Sequence, residues 1–117
     1  MKGRDTSRTT NTNGQLKLEK WIRELGFITE LEKDFPPYWA DIYLQEVHVA
    51  VEYDGAQHWK KKDRKKDKHL MEEYLLPVLR IDRLSPKEEI VEKMRNFIEE
   101  HIETKPERKW EYERRTF

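Results

Sequence analysis

The stretch VHVAVEYDGAQHW, residues 47–59, decides how the rest of this chain is read. Its alternation predicts a strand over residues 47–54, with Val47, Val49, Val51 and Tyr53 on one face and His48, Ala50, Glu52 and Asp54 on the other. It is the most strand-like segment of the chain, which predicts a central place in a sheet. Yet its second face carries two carboxylates. Residues 39–44, just before it, read as another strand, and the pair forms a hairpin turning near Gln45 and Glu46. Counted from that turn, Asp41 falls beside residues 51–55 of its partner. Three acidic side chains, Asp41, Glu52 and Asp54, are therefore expected together at one end of an apolar sheet.

Outward from the hairpin the elements follow by periodicity. Residues 27–34 alternate weakly and suit a strand, ended by Pro36 and Pro37. Residues 15–25 are a helix, with Leu18, Trp21, Ile22 and Leu25 on one face and Gly26 as its stop. Residues 63–76 are a second helix with Leu70, Met71, Tyr74 and Leu75 inward. Helical spacing puts Asp67 on that same face. Pro77 ends it, and residues 78–81 make a short strand. Ser85-Pro86-Lys87-Glu88 combines a capping box with Pro at the first helical position. Ile90, Val91, Met94, Phe97, Ile98 and Ile102 then mark an amphipathic helix. The expected order is α-β-β-β-α-β-α, an α/β fold with a mixed sheet flanked by helices.

The chain has 117 residues, enough for one core. Residues 1–14 read as a basic arm, 15–103 as the folded domain, and 104–117 as a charged, aromatic tail. Charged residues make up 41%, but Lys and Arg number 24 and Asp and Glu 24, so binding by bulk charge is excluded while local patches are not. With no cysteine, disulfide scaffolds, Cys-type zinc ribbons and thiol catalysis are excluded. No apolar run approaches the roughly 20 residues that cross a bilayer. A cytoplasmic protein without membrane contact is the expectation.

Carboxylates this close repel, and something must neutralise them. A hard divalent cation, Mg²⁺ with Mn²⁺ as substitute, fits oxygen ligands. Salt bridges to neighbouring Lys and Arg are the competing solution. His58 follows Asp54 by four residues, and Gly55 permits a turn that returns it to the cluster, where an imidazole can take a proton from an attacking water. Asp67 suits orienting His58 or holding a metal through water; the plainer reading is a helix-start charge on the macrodipole. Residues 60–68, KKKDRKKDK, hold seven cations and two anions. Beside a carboxylate site, Lys60, Lys61, Lys62, Arg64 and Lys65 point to an anionic polymer.

Taken together, Asp41, the step to Glu52-Tyr53-Asp54-Gly55, His58, Arg64, Asp67 and the strand Pro77-Val78-Leu79-Arg80-Ile81 resemble the PD-(D/E)XK nuclease superfamily. The similarity is nearest to its very-short-patch-repair endonuclease branch and to phage-type homing endonucleases with scattered EDxHD residues. It runs over about residues 15–102 and is most specific over 40–81. The resemblance implies a restriction-endonuclease-like αβββαβ core and metal-dependent phosphodiester hydrolysis. It implies Asp41 as central metal ligand, Glu52 and Asp54 as second ligand and neighbour, His58 as base or leaving-group helper, and Asp67 as a further acidic residue. It also implies a first-helix acid, for which Glu19 is the candidate, although the usual spacing falls nearer Gln15. The superfamily lysine two residues after the Glu is Asp54 here, which shifts weight to His58.

The expected function is a Mg²⁺-dependent DNA endonuclease, cutting one strand or both. So short a chain has little left for reading bases, which suggests weak specificity, a homodimer, or a module joined to a DNA-binding segment. The alternatives are a nuclease-fold module that binds DNA without cutting, and a nuclease acting on RNA or branched DNA.

Overall fold

The computed structural model describes residues 12–55 and 60–102, with the side chains of 12 and 60–63 outside that description. Most of the arm, His58 and the tail 104–117 thus lie outside the described residues. The elements are α1 (Thr12–Glu24), β1 (Thr29–Phe35), β2 (Tyr38–Leu44), β3 (Val49–Tyr53), α2 (Lys60–Tyr74), β4 (Val78–Ile81) and α3 (Lys87–Ile102). Their order is the one expected. The sheet has four strands in the order β1-β2-β3-β4. The β1–β2 and β2–β3 pairs are antiparallel, and β3–β4 is parallel, reached through α2.

Alternation along β2 and β3 sorts the core into two layers. Leu18, Trp21 and Ile22 of α1 and Ile90, Met94 and Ile98 of α3 pack on one face, against Ile42, Leu44, Val49, Val51 and Ile81. Leu70 of α2, with Leu76 just beyond it, covers the other face against Phe35, Tyr43 and Ala50. The carboxylates of β3 point into this second layer because they share the parity of Ala50.

Several boundaries moved for identifiable reasons. α1 starts at Thr12, three residues before the expected 15, so residues 12–14 are helical and not part of an arm. Gly14 packs flat against Tyr53, and a Cβ there would overlap the ring. Tertiary contact overrides the poor helix propensity of Thr-Asn-Gly. The far end of α1 meets expectation: Gly26 has φ 102 and donates to the Arg23 carbonyl at 2.9 Å, a Schellman-type stop. β3 begins at Val49 and not Val47, because His48 has φ 52 and its N–H returns to the Leu44 carbonyl at 2.8 Å. α3 begins at Lys87; the Pro86 carbonyl already accepts the Ile90 N–H, so Pro86 holds the cap position. Met71 is exposed, and Leu76 takes the inward place expected of Leu75. Leu75 sits at φ 54, which turns the chain and swings Leu76 into the core.

His48 is fully buried. Its Nδ1 lies 2.7 Å from the Tyr43 hydroxyl and its Nε2 lies 2.8 Å from the Tyr74 carbonyl. The carbonyl can only accept, so Nε2 carries the hydrogen and the hydroxyl donates to Nδ1. This bridge ties β2 to the end of α2. Replacing His48 with Leu is expected to cost about 2–4 kcal/mol of stability by urea denaturation, since it strands two buried polar groups. A loss below about 0.5 kcal/mol would show that the bridge contributes little.

Candidate functional site

The ladder that pairs Ile42 with Val51 carries Asp41 to Glu52 one step further on. The two carboxylates are woven into the hairpin by their own backbones. Glu52 Oε2 accepts the Asp41 N–H at 2.7 Å, and Asp41 Oδ2 accepts the Tyr53 N–H at 3.1 Å. Exposure is 8% for Asp41 and 3% for Glu52. The other Asp41 oxygen, Oδ1, has no hydrogen-bond donor among the described residues. Burial, then the Glu52 charge, pushes the Asp41 carboxyl up from 3.8 to about 7. A carboxylate so placed wants a proton or a cation.

Cations arrive from two other elements. On α2, Lys66 and Asp67 lie four and three residues before buried Leu70, which turns both toward the sheet. Lys66 Nζ meets Glu52 Oε1 at 2.6 Å. On β4, Arg80 pairs directly beside Glu52 in the parallel ladder. Its guanidinium reaches Asp54 at 2.7 Å and grips both oxygens of Asp67 at 2.9 and 2.7 Å. These contacts raise the Arg80 pKa against the opposing effect of its burial.

The expected cluster of three carboxylates is therefore arranged as two pairs: Asp41 with Glu52, and Asp54 with Asp67 across Arg80. Among the described residues, no three acids or histidines come together as one metal-holding group. Asp54 is turned to Arg80 because Arg80 stands on the neighbouring strand and shares its face. Asp67 faces the site, as helical spacing predicts. Glu19 does not belong to it. It accepts a hydrogen bond from Thr29 Oγ1 and pairs with Arg23 at 2.8 Å. Thr29 lies opposite Leu44, three residues along β2 from Asp41. The N-terminus of α1 is what reaches the site end of the sheet, through Gly14 on Tyr53. One residue along, Gln15 is 3% exposed, and among the described residues its amide has no hydrogen-bond partner.

Arg64 and Lys65 are exposed on α2. His58 lies outside the described residues, as do the side chains of Lys60, Lys61 and Lys62. Lys66 and Arg80 were not singled out from the sequence as site residues. Lys66 was legible in principle, four residues from Leu70, but hidden among seven cations.

The donor set suits a hard cation. Two nearly buried carboxylates, one with an oxygen lacking a donor among the described residues, could hold a cation such as Mg²⁺ or Mn²⁺, which bind through one or two carboxylates and keep several waters. His69 packs edge-on against Tyr38, ring centres 5.3 Å apart. Among the described residues no helix is long and apolar enough to cross a membrane. Comparison of the chain with protein-family models, curated proteins and solved structures finds no match.

Proposed function

We propose that this chain is a divalent-metal-dependent endonuclease acting on DNA. The observation that carries the reading is the Asp41–Glu52 pair: two carboxylates under 10% exposed, side by side at the end of the β2–β3 ladder, with one oxygen lacking a donor among the described residues. Burying two adjacent carboxylates costs free energy that a bound cation would offset. The element order and these two positions support a restriction-endonuclease-like core.

In this reading Asp41 and Glu52 hold the cation. When bound, it supplies Lewis-acid charge at the scissile phosphate and lowers the pKa of a water. Tyr53 and Asp41 lock each other through the backbone, which keeps the Asp41 carboxylate in one orientation. Lys66 stands against Glu52 as a positive charge that can turn to a phosphate oxygen. Arg64 and Lys65 track the DNA backbone and confer affinity with little base reading. His58 accepts a proton from the attacking water.

Supercoiled plasmid is expected to be nicked or linearised with Mg²⁺ or Mn²⁺ and left intact with EDTA. Asp41→Asn should slow cleavage at least about 1,000-fold. Cleavage that persists in EDTA, or in that variant, rejects the site. Linear product at early times would support a homodimer cutting both strands.

A second reading has one observation in its favour. Lys66 and Arg80 already contact three of the four carboxylates. A module that binds DNA without cutting it would retain gel-shift affinity in EDTA and show no cleavage of plasmid, RNA or four-way junctions.

A further inference from the structure

The two carboxylate pairs lie side by side but are neutralised by different means. Asp54 and Asp67 share a guanidinium through three contacts of 2.7–2.9 Å. Arg keeps its charge at any working pH, and its planar fork meets Asp67 with two parallel bonds. The Arg80 side chain is 18% exposed, and displacing it would leave a desolvated cation unpaired. Asp67 is one-third exposed, so water screens the remaining charge.

Asp41 and Glu52 have neither advantage. Both are nearly buried, and the Lys66 ammonium touches Glu52 while Arg80 adds a weaker attraction on Asp41. Lysine is a point charge on a flexible stem and leaves at the cost of one contact. Asp41 Oδ1 has no hydrogen-bond donor among the described residues. A carboxylate oxygen this deep with no donor among the described residues is a place for a cation.

We propose that the site takes one divalent cation and not two. The ion sits on Asp41 and Glu52 and displaces the Lys66 ammonium toward the bound phosphate. The Arg80 guanidinium permanently fills the place between Asp54 and Asp67 that a second ion would need. This rests on the metal-dependent reading above and refines it by assigning Asp54 to Arg80 and not to the metal.

The test is Mn²⁺ binding to the full chain, by calorimetry and by electron paramagnetic resonance of the free ion, without nucleic acid. One equivalent is expected for the wild type. Asp41→Asn should weaken binding about 100-fold or more, while Asp54→Asn should change it less than about threefold. Lys66→Met removes a competing charge and should tighten it roughly tenfold. Circular dichroism melts confirm that each variant is folded. Two equivalents in the wild type, no Mn²⁺ binding, equal damage from Asp54→Asn and Asp41→Asn, or unchanged affinity in Lys66→Met would each overturn the proposal. Cleavage assays on the same samples separate the two claims: one bound Mn²⁺ without cleavage of any nucleic acid leaves the stoichiometry standing and removes the nuclease.

Discussion

Asp41→Asn is expected to make the metal-free protein more stable at pH 8, although it destroys the proposed site. The Asp41 carboxyl holds its proton up to about pH 7 in the folded chain, against 3.8 for an ordinary Asp. Folding therefore takes up a proton between those values, and this group's contribution to stability falls as pH rises through that window. It is fully present below pH 4 and gone above pH 7. The penalty at pH 8 is on the order of 4 kcal/mol, set by burial and by the Glu52 charge. Asparagine keeps an oxygen for the Tyr53 N–H and offers Glu52 a donor in place of a repelling charge. A gain of about 1–3 kcal/mol at pH 8, shrinking to nothing or a loss at pH 4, is the expected result. Urea denaturation in EDTA at pH 4, 6 and 8 measures it, and subtracting wild type from variant cancels the other titrating groups. Parallel profiles for the two proteins would show that Asp41 carries no such strain. A carboxylate that lowers stability is what the proposed cation site entails.

Arg80→Met should have the opposite effect. One guanidinium holds Asp54 of the β3 end, Asp67 of α2 and its own strand together. Its removal leaves two carboxylates facing each other, one of them with a side chain only 9% exposed. Breaking a partly buried ion triad by deleting one member costs about 3–5 kcal/mol. In a domain of this size that is a fall of roughly 10–20 °C in Tm. Methionine preserves the bulk of the stem, so the loss reports charge and not packing. Adding Asp54→Asn to Arg80→Met should recover part of the loss, and a double-mutant cycle gives the coupling. Simple additivity of the two substitutions would mean that Arg80 acts through packing alone.

Much of the fold was legible because it is written in local periodicity. Leu18, Trp21 and Ile22 repeat at helical spacing, and Val49, Val51 and Tyr53 alternate, and those faces are the ones that bury. The misreadings fall where backbone conformation departs from regularity. His48 and Leu75 adopt left-handed φ despite being neither Gly nor Asn, and each shifts a boundary by one or two residues. Nothing in residue type announces this; tertiary packing holds them there. Met71 has the spacing of a core residue but lies beyond the edge of the surface that α2 covers.

The site divides the same way. That Asp41 and Glu52 stand next to each other follows from a hairpin, and a hairpin is counted from its turn. That Asp67 looks inward follows from its distance to Leu70. Sequence alone determined those placements, together with the order of the elements and the charge of α2, because each depends on contacts within one element or one short turn. Only the tertiary structure decided which cation meets which carboxylate. Lys66 reaches Glu52 across 14 residues and Arg80 reaches Asp54 across 26. Those meetings depend on the parallel register that sets Arg80 beside Glu52, and on where α2 settles on the sheet. The choice between Glu19 and Gln15 was likewise one of docking. Both lie on or near the apolar stripe of α1, and the contact of Gly14 with Tyr53 determines which end of that stripe lies toward the site end of the sheet. Long-range register and helix placement are fixed by the summed packing of the core, which no local pattern encodes.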